Sequence, residues 1–368
     1  MADPRLDRLA EVLVGYSLDL QPGMQLAVYW TPLAAPLVER VQREALRRGA
    51  QVFSWGVPDS ALASHYRYAS EAQLDNVSPL YRSIVEQFDA LLTIDAEVNT
   101  HLLSAVDPAR VARRARAHQT LYAARVRREA SGELRSCSTL YPTPAAAQDA
   151  EMSLADYEDF VFAAGKLDQP DPVSAWRAEG RRQQKWIDWL RGRERVEFRG
   201  PDIDLRLSIA GRAFAPACGR QNFPDGEIYT APVEDSVEGW VRFRYPGSFH
   251  GQAVSEVELW FERGAVVRQR AGKGEAQLLT LLETDPGARR IGEWGIGTNY
   301  DIQQFSRNML FDEKMGGTIH FALGFGFPEC GSRNESALHW DLLVDMTQGE
   351  IVVDGERFYD QGSPQLGS

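Results

Sequence analysis

The sequence predicts an α/β protein of two domains: an N-terminal α/β domain with a mostly parallel sheet, and a C-terminal α+β domain with a mixed or antiparallel sheet. Three observations predict it. At 368 residues the chain is longer than a single ordinary hydrophobic core serves. Its first half alternates helix-period and strand-period segments, as a parallel sheet with crossover helices requires. Its second half is a succession of short strands joined by turn sequences, which points to antiparallel pairing.

Taken in order, RLDRLAEVLVGYSLDL carries Leu6, Leu9, Val12 and Leu13 at helical spacing. MQLAVYW reads as a strand, PLVERVQREALRR as a helix ending near Gly49, and AQVFSWGV as a second strand. YRSIVEQFDALLTID passes from a helix into a third strand over Ala90 to Ile94. No glycine-rich phosphate loop follows any of these strands, so a nucleotide-binding fingerprint is excluded. The stretch ARVARRARAHQTLYAARVRR holds Arg110, Arg113, Arg114, Arg116, Arg125, Arg127 and Arg128 with Val111, Leu121 and Val126 between them. It reads as a helix with a solvated or contact-making basic face, with RNA binding as the lesser alternative. PDPVSAWRAEGRRQQKWIDWLRGRE is a long amphipathic helix carrying Trp176, Trp186 and Trp189. The domain boundary is placed near its end, giving domains 1–193 and 194–368.

Beyond it come ERVEFRG, DIDLRLSIA, SVEGWVRFRYP, SEVELWFERGAVVRQRAG, GTIHFALGFG, ALHWDLLVDM and GEIVVDGERFY. DIDLRLSI alternates cleanly, and ERGAVV and QGEIVVDGERFY look like tight turns between paired strands. One helix, GKGEAQLLTLLETDPGARR, interrupts them.

The composition, 43% hydrophobic and 25% charged, is that of a globular protein. A net charge of −12 argues against general nucleic-acid or anionic-membrane binding and mildly favours a cationic partner such as a peptide amino terminus. Cys137, Cys218 and Cys330 are odd in number and widely spaced, so neither a disulfide framework nor a C-x-x-C zinc site is expected. The start MADPRLDRLAEVL lacks the apolar core of a secretion signal, and no apolar run approaches the ~20 residues of a membrane span. A cytoplasmic location is expected.

The segment SALHWDLLVD poses a chemical problem. It is apolar at Leu338, Trp340, Leu342 and Leu343, yet carries His339 and Asp341. On a strand these two project from the same face, opposite Trp340. A buried carboxylate is costly unless paired or bound to a cation. A His–Asp hydrogen bond in a core would satisfy the pair. Other residues, however, share the same anomaly. His320 lies between Ile319 and Phe321, Glu293 stands without another acid nearby, and Glu227 follows a proline–glycine turn. Two neutral imidazoles and three carboxylates suit two divalent ions of the zinc, cobalt or manganese type. Two such ions ~3.5–4 Å apart share a water, lower its pKa and polarise a carbonyl. Asp312, Glu313 and Lys314 precede the His320 strand; they read either as a charged turn or as groups lining a cleft. His65, His101, His118 and His250 lack a ligand-like setting and are expected on the surface or on helices.

The series NFPDGEIYTAP, GARRIGEWGIGTN, NMLFDEKMGGTIHFALG and NESALHWDLL resembles the aminopeptidase T/aminopeptidase S family of two-metal aminopeptidases, of the thermophilic metalloprotease type. The likeness covers roughly residues 200–350 and is less specific before them. It implies a metal-dependent aminopeptidase that releases amino-terminal residues from short peptides and works as a homodimer. By position in the motifs, Glu227, Glu293, His320, His339 and Asp341 correspond to the metal ligands, and Glu227 or Glu293 is the candidate general base. The resemblance also implies a tyrosine after the HxALG strand, where this chain has Phe327. Losing an oxyanion donor costs on the order of 100–1000-fold in rate. Three readings stay open at this point: a slow enzyme, a replacement hydroxyl from Tyr229 or Tyr300, or a metal- or peptide-binding relative without peptidase activity. A metal-free hydrolase using Glu227 and Glu293 as a carboxylate pair is a further class.

Overall fold

The computed structural model describes residues 3–249 and 252–366; His250 lies outside them. The chain forms two compact units, Met1–Val173 with Gly219–Pro224, and Ser174–Cys218 with Asp225–Ser368. The division falls within the helix Pro172–Leu190, and the boundary expected near residue 193 lies just past that helix's end.

The first unit is built on parallel strands β1 (Gln25–Trp30), β2 (Gln51–Gly56), β3 (Ala90–Asp95) and β4 (Arg135–Leu140). They lie in the order β2-β1-β3-β4, with the short strand Asn222–Phe223 added in parallel beside β4. Helices Ala35–Arg47, Pro79–Gln87 and Pro108–Ala130 fall on the chain between successive strands. The first of these buries Leu37, Val38 and Val41, and the strands bury Leu26, Val28, Leu91, Leu92 and Ile94. β4 and the strand at 222–223 were not foreseen. The first, RSCSTL, is too polar to register as an apolar strand, and the second has only two residues.

The basic helix is structural in character. Arg128 donates to the carbonyls of Val85 (2.7 Å) and Phe88 (3.0 Å). Arg113 pairs with Asp75 and Glu71, both at 2.6 Å. Arg110 reaches the carbonyls of Tyr66 and Ala69, and Arg125 pairs with Glu129. Apart from the Arg125–Glu129 pair, which lies within the helix, these guanidinium groups tie it to its neighbours.

The second unit consists of antiparallel sheets. The largest has eight strands, in the order 265–270, 257–262, 238–243, 203–208, 195–200, 350–353, 356–360 and 363–364. Its hairpin turns carry Arg263–Gly264 and Asp354–Gly355, all at positive φ, the type of two-residue turn that matches strand twist. The other large sheet has five strands: β5 (Ala215–Ala217), β6 (Glu227–Thr230), β7 (Ile291–Gly297), β8 (Thr318–Gly324) and β9 (His339–Asp345). Their order is β9-β8-β7-β6-β5. Trp294, Ile296, Ile319, Phe321, Leu342 and Val344 form one buried face of it and share a core with Val196, Phe198, Leu205 and Val241 of the larger sheet. Phe198 packs edge-on against both Trp294 (5.0 Å) and Phe321 (5.4 Å). Alternation then sends the intervening residues of the five-stranded sheet to its opposite face. Among the described residues, no helix is long and apolar enough to cross a membrane.

Candidate metal centre

That opposite face carries all five residues singled out by the sequence. Glu227 comes from β6, Glu293 from β7, His320 from β8, and His339 and Asp341 from β9. Strand register sets Glu293 opposite Ala322 and Ala322 opposite Asp341, while Gly295 lies between Tyr229 and His320. The positions between the ligand-type residues are small: Gly295, Gly297, Ala322 and Gly324. A Cβ at Gly295 would stand 2.0 Å from the His320 ring. The glycine thus lets the imidazole lie flat across its neighbouring strand. These small residues are the part of the site that sequence reading missed; their signal was the glycines two and four residues after Glu293 in GEWGIG, on the same face of the strand.

The side chains form two overlapping groups, Glu227–Glu293–His320 and Glu293–His339–Asp341; within each, one ligand atom per residue lies within 4.8 Å of the others. Glu293 belongs to both. Its Oε1 is 3.6 Å from His320 Nε2, and its Oε2 is 3.4 Å from His339 Nε2. Glu227 Oε2 is 3.2 Å from His320 Nε2, and Asp341 Oδ2 is 3.7 Å from His339 Nε2. The two histidines are thus linked through this common carboxylate.

Access is one-sided. Glu227, Glu293 and His320 are each 5% exposed or less, whereas the His339 side chain is 32% exposed. His339 Nδ1 lies 2.9 Å from the Phe325 carbonyl. A proton there donates to that oxygen and directs the Nε2 lone pair into the centre.

Burial and mutual charge set the protonation of the group. Burial raises Glu227, partly offset by the Lys314 ammonium. Burial also acts to raise Glu293, but the imidazoles of His320 and His339 facing its two oxygens bring it below the usual carboxylate range. Burial would lower both imidazoles; the surrounding carboxylates instead push each to about 10. Such a group is satisfied only by added positive charge, whether protons or cations. Glu227 Oε2 and His320 Nδ1 are buried without a hydrogen bond among the described residues. Nitrogen and oxygen donors in this proportion fit borderline divalent ions.

Lys314 is fully buried, with its Nζ against Glu313 Oε1 and 3.5 Å from Glu227 Oε1. Of the two readings of this charged stretch, a solvated turn does not describe Lys314, which is a buried partner of Glu227. Phe327 packs against Tyr229 (5.3 Å) and His339 (5.4 Å). Tyr300 is 40% exposed and its hydroxyl donates to the Gly362 carbonyl at 2.9 Å. His65, His101 and His118 lie in the first unit, His65 and His118 on helices. No disulfide joins the three cysteines.

Two imidazoles and three carboxylates on one sheet face, mostly buried and with one carboxylate common to both halves, define a metallohydrolase-type centre. A sequence model of the thermophilic metalloprotease (M29) family matches residues 2–362. The chain is 31% identical to aminopeptidase 2 of Geobacillus stearothermophilus, over 96% of each chain. It is 30% identical to aminopeptidase T of Thermus thermophilus, over 97% of this chain and 95% of that one. The solved structure of wild-type AmpT from Thermus thermophilus superposes with a TM-score of 0.85 at 26% identity, covering 98% of this chain and 99% of that one. The chain belongs to the thermophilic metalloprotease (M29) family, that of aminopeptidases T and S. It is a metal-dependent hydrolase of the metallo-aminopeptidase class.

Proposed function

We propose that the chain removes amino-terminal residues from short peptides, using two divalent ions of the zinc, cobalt or manganese type held by Glu227, Glu293, His320, His339 and Asp341. The observation that carries this reading is the position of Glu293, whose two oxygens face two different imidazoles 3.6 and 3.4 Å away. A carboxylate so placed suits a bridge between two cations. Ions bound there would supply charge stabilisation and an activated water. Within the chain, Glu227 and Glu293 are the carboxylates within reach to exchange protons with that water, and Lys314 holds Glu227 in place. The same reading takes the protein as a cytoplasmic homodimer.

The deciding experiment pairs metal analysis of gently purified protein with turnover of amino-acyl p-nitroanilides in added cobalt or zinc. The expected outcome is about two ions per chain and release of p-nitroaniline that a chelator abolishes. Turnover without metal would sink this reading in favour of a carboxylate-pair hydrolase. Bound metal without turnover would mark an impaired relative, the outcome that motivates attention to Phe327. Light scattering at micromolar protein tests the dimer, and a monomer mass would count against it.

A further inference from the structure

We propose that Tyr229 is a catalytic residue of this centre, its phenolic hydroxyl donating the hydrogen bond that holds the oxyanion formed when the peptide carbonyl is attacked. The inference rests on the aminopeptidase reading above. Tyr229 lies two residues after Glu227 on β6, so both side chains project from the ligand-bearing face. Register places Tyr229 opposite Gly295, and Gly295 opposite His320. The residue between phenol and imidazole therefore has no side chain, and the imidazole leans across it toward the strand that carries the phenol.

The phenol is held from several sides. Its ring packs on Phe327 at 5.3 Å, and Phe327 packs on His339. Its strand is paired on both sides, with Ala215 and with Gly295. A donor fixed in this way incurs little reorganisation when charge develops.

The other candidates are committed elsewhere. The Lys314 ammonium is taken by Glu313 and Glu227. The Tyr300 hydroxyl donates to Gly362. Phe325 and Phe327 have no donor, and Trp294 and Trp340 belong to the opposite, core-facing side of the sheet. Among the described residues the Tyr229 hydroxyl makes no hydrogen bond, which leaves it available to substrate.

The step balances as follows. The water oxygen bonds to the carbonyl carbon while its proton passes to a carboxylate of the Glu227/Glu293 pair. The carbonyl π pair moves onto oxygen, which accepts the Tyr229 O–H. On collapse that pair re-forms the carbonyl, the C–N bond breaks, and the proton goes to the leaving amine.

The test uses the metal-loaded full chain with leucyl-p-nitroanilide and a leucyl dipeptide. Tyr229→Phe keeps the ring and removes one oxygen. We expect kcat to fall on the order of 100-fold with KM nearly unchanged and metal content intact. By calorimetry, a phosphonate mimic of the tetrahedral species should lose affinity by a similar factor, while free leucine binds as before. Returning the hydroxyl on the adjacent ring, in Tyr229→Phe/Phe327→Tyr, should recover about tenfold or more. Phe327→Tyr alone should change kcat little, because a donor is already present, and Tyr300→Phe should be silent. Equal turnover by Tyr229→Phe and the unmodified chain would overturn the proposal. So would equal weakening of phosphonate and leucine, or a large gain from Phe327→Tyr alone. An unmodified chain with neither metal nor turnover would instead bring down the aminopeptidase reading, and this inference with it.

Discussion

Gly295 shows how much of the centre depends on what a residue lacks. Its missing side chain is the space into which His320 leans, since an added Cβ would overlap the ring at 2.0 Å. Gly295→Ala should displace the imidazole, cost roughly 1–3 kcal/mol through overpacking, and lower bound metal per chain. A melting curve and a metal assay check it; an unchanged midpoint with full metal would contradict it. Asp312 offers a second test at this scale. It is 1% exposed; Oδ1 accepts from the Ser306 amide (2.7 Å) and hydroxyl (2.8 Å), while Oδ2 has no partner among the described residues. Burial raises its carboxyl from 3.8 to about 7. The folded state therefore holds this proton more tightly than the unfolded chain. Its contribution is fully present below pH 3.8 and is lost as pH rises through about 7. Asp312→Asn should flatten that dependence. The gap between variant and unmodified chain should widen with pH by up to a few kcal/mol in urea titrations at pH 5 and 8. Parallel curves would count against it.

The helix Pro108–Ala130 shows where sequence reading stops at the scale of elements. Its arginines were visible, but their partners were not, because the acceptors are backbone carbonyls and acids up to 44 residues away. Arg128→Ala leaves the carbonyls of Val85 and Phe88 without that donor and should destabilise the chain by roughly 2 kcal/mol. Arg113→Ala, at a more exposed pair, should cost about 1 kcal/mol or less. Neither should alter peptide turnover, and chemical denaturation alongside an activity assay separates the effects. The ligand-bearing strands were legible for a different reason. A histidine or acid inside an apolar run has no local justification, so His320, His339 and Asp341 announced themselves. Glu227 and Glu293 stood out more weakly, one as an acid just past a proline–glycine turn and the other as a lone acid in its segment, and the motif series around them joined them to the set. That the strands after residue 194 divide between two large sheets was not legible. Which strand pairs with which is settled by packing across the core, as between Phe198 and Trp294, rather than by any strand's own pattern.

On the scale of the molecule, depth of burial governs what can reach the chemistry. With Glu227, Glu293 and His320 almost wholly covered and His339 the most open member, only a slender chain end can approach. Di- to tetrapeptides should be consumed far faster than casein-sized substrates, and efficient digestion of an intact folded protein would contradict this. The position of Glu293 between the two imidazoles also bears on how the centre fills. Its single negative charge is counted by both halves. On the two-ion reading proposed above, the first cation to arrive would neutralise much of that charge and then repel the second, making the two loading events thermodynamically unequal. A calorimetric titration of metal-free protein should show two resolved steps, the later one weaker. Glu293→Gln removes the anion shared by the two halves and should weaken the later step most, whereas Asp341→Asn should spare the step formed by Glu227 and His320.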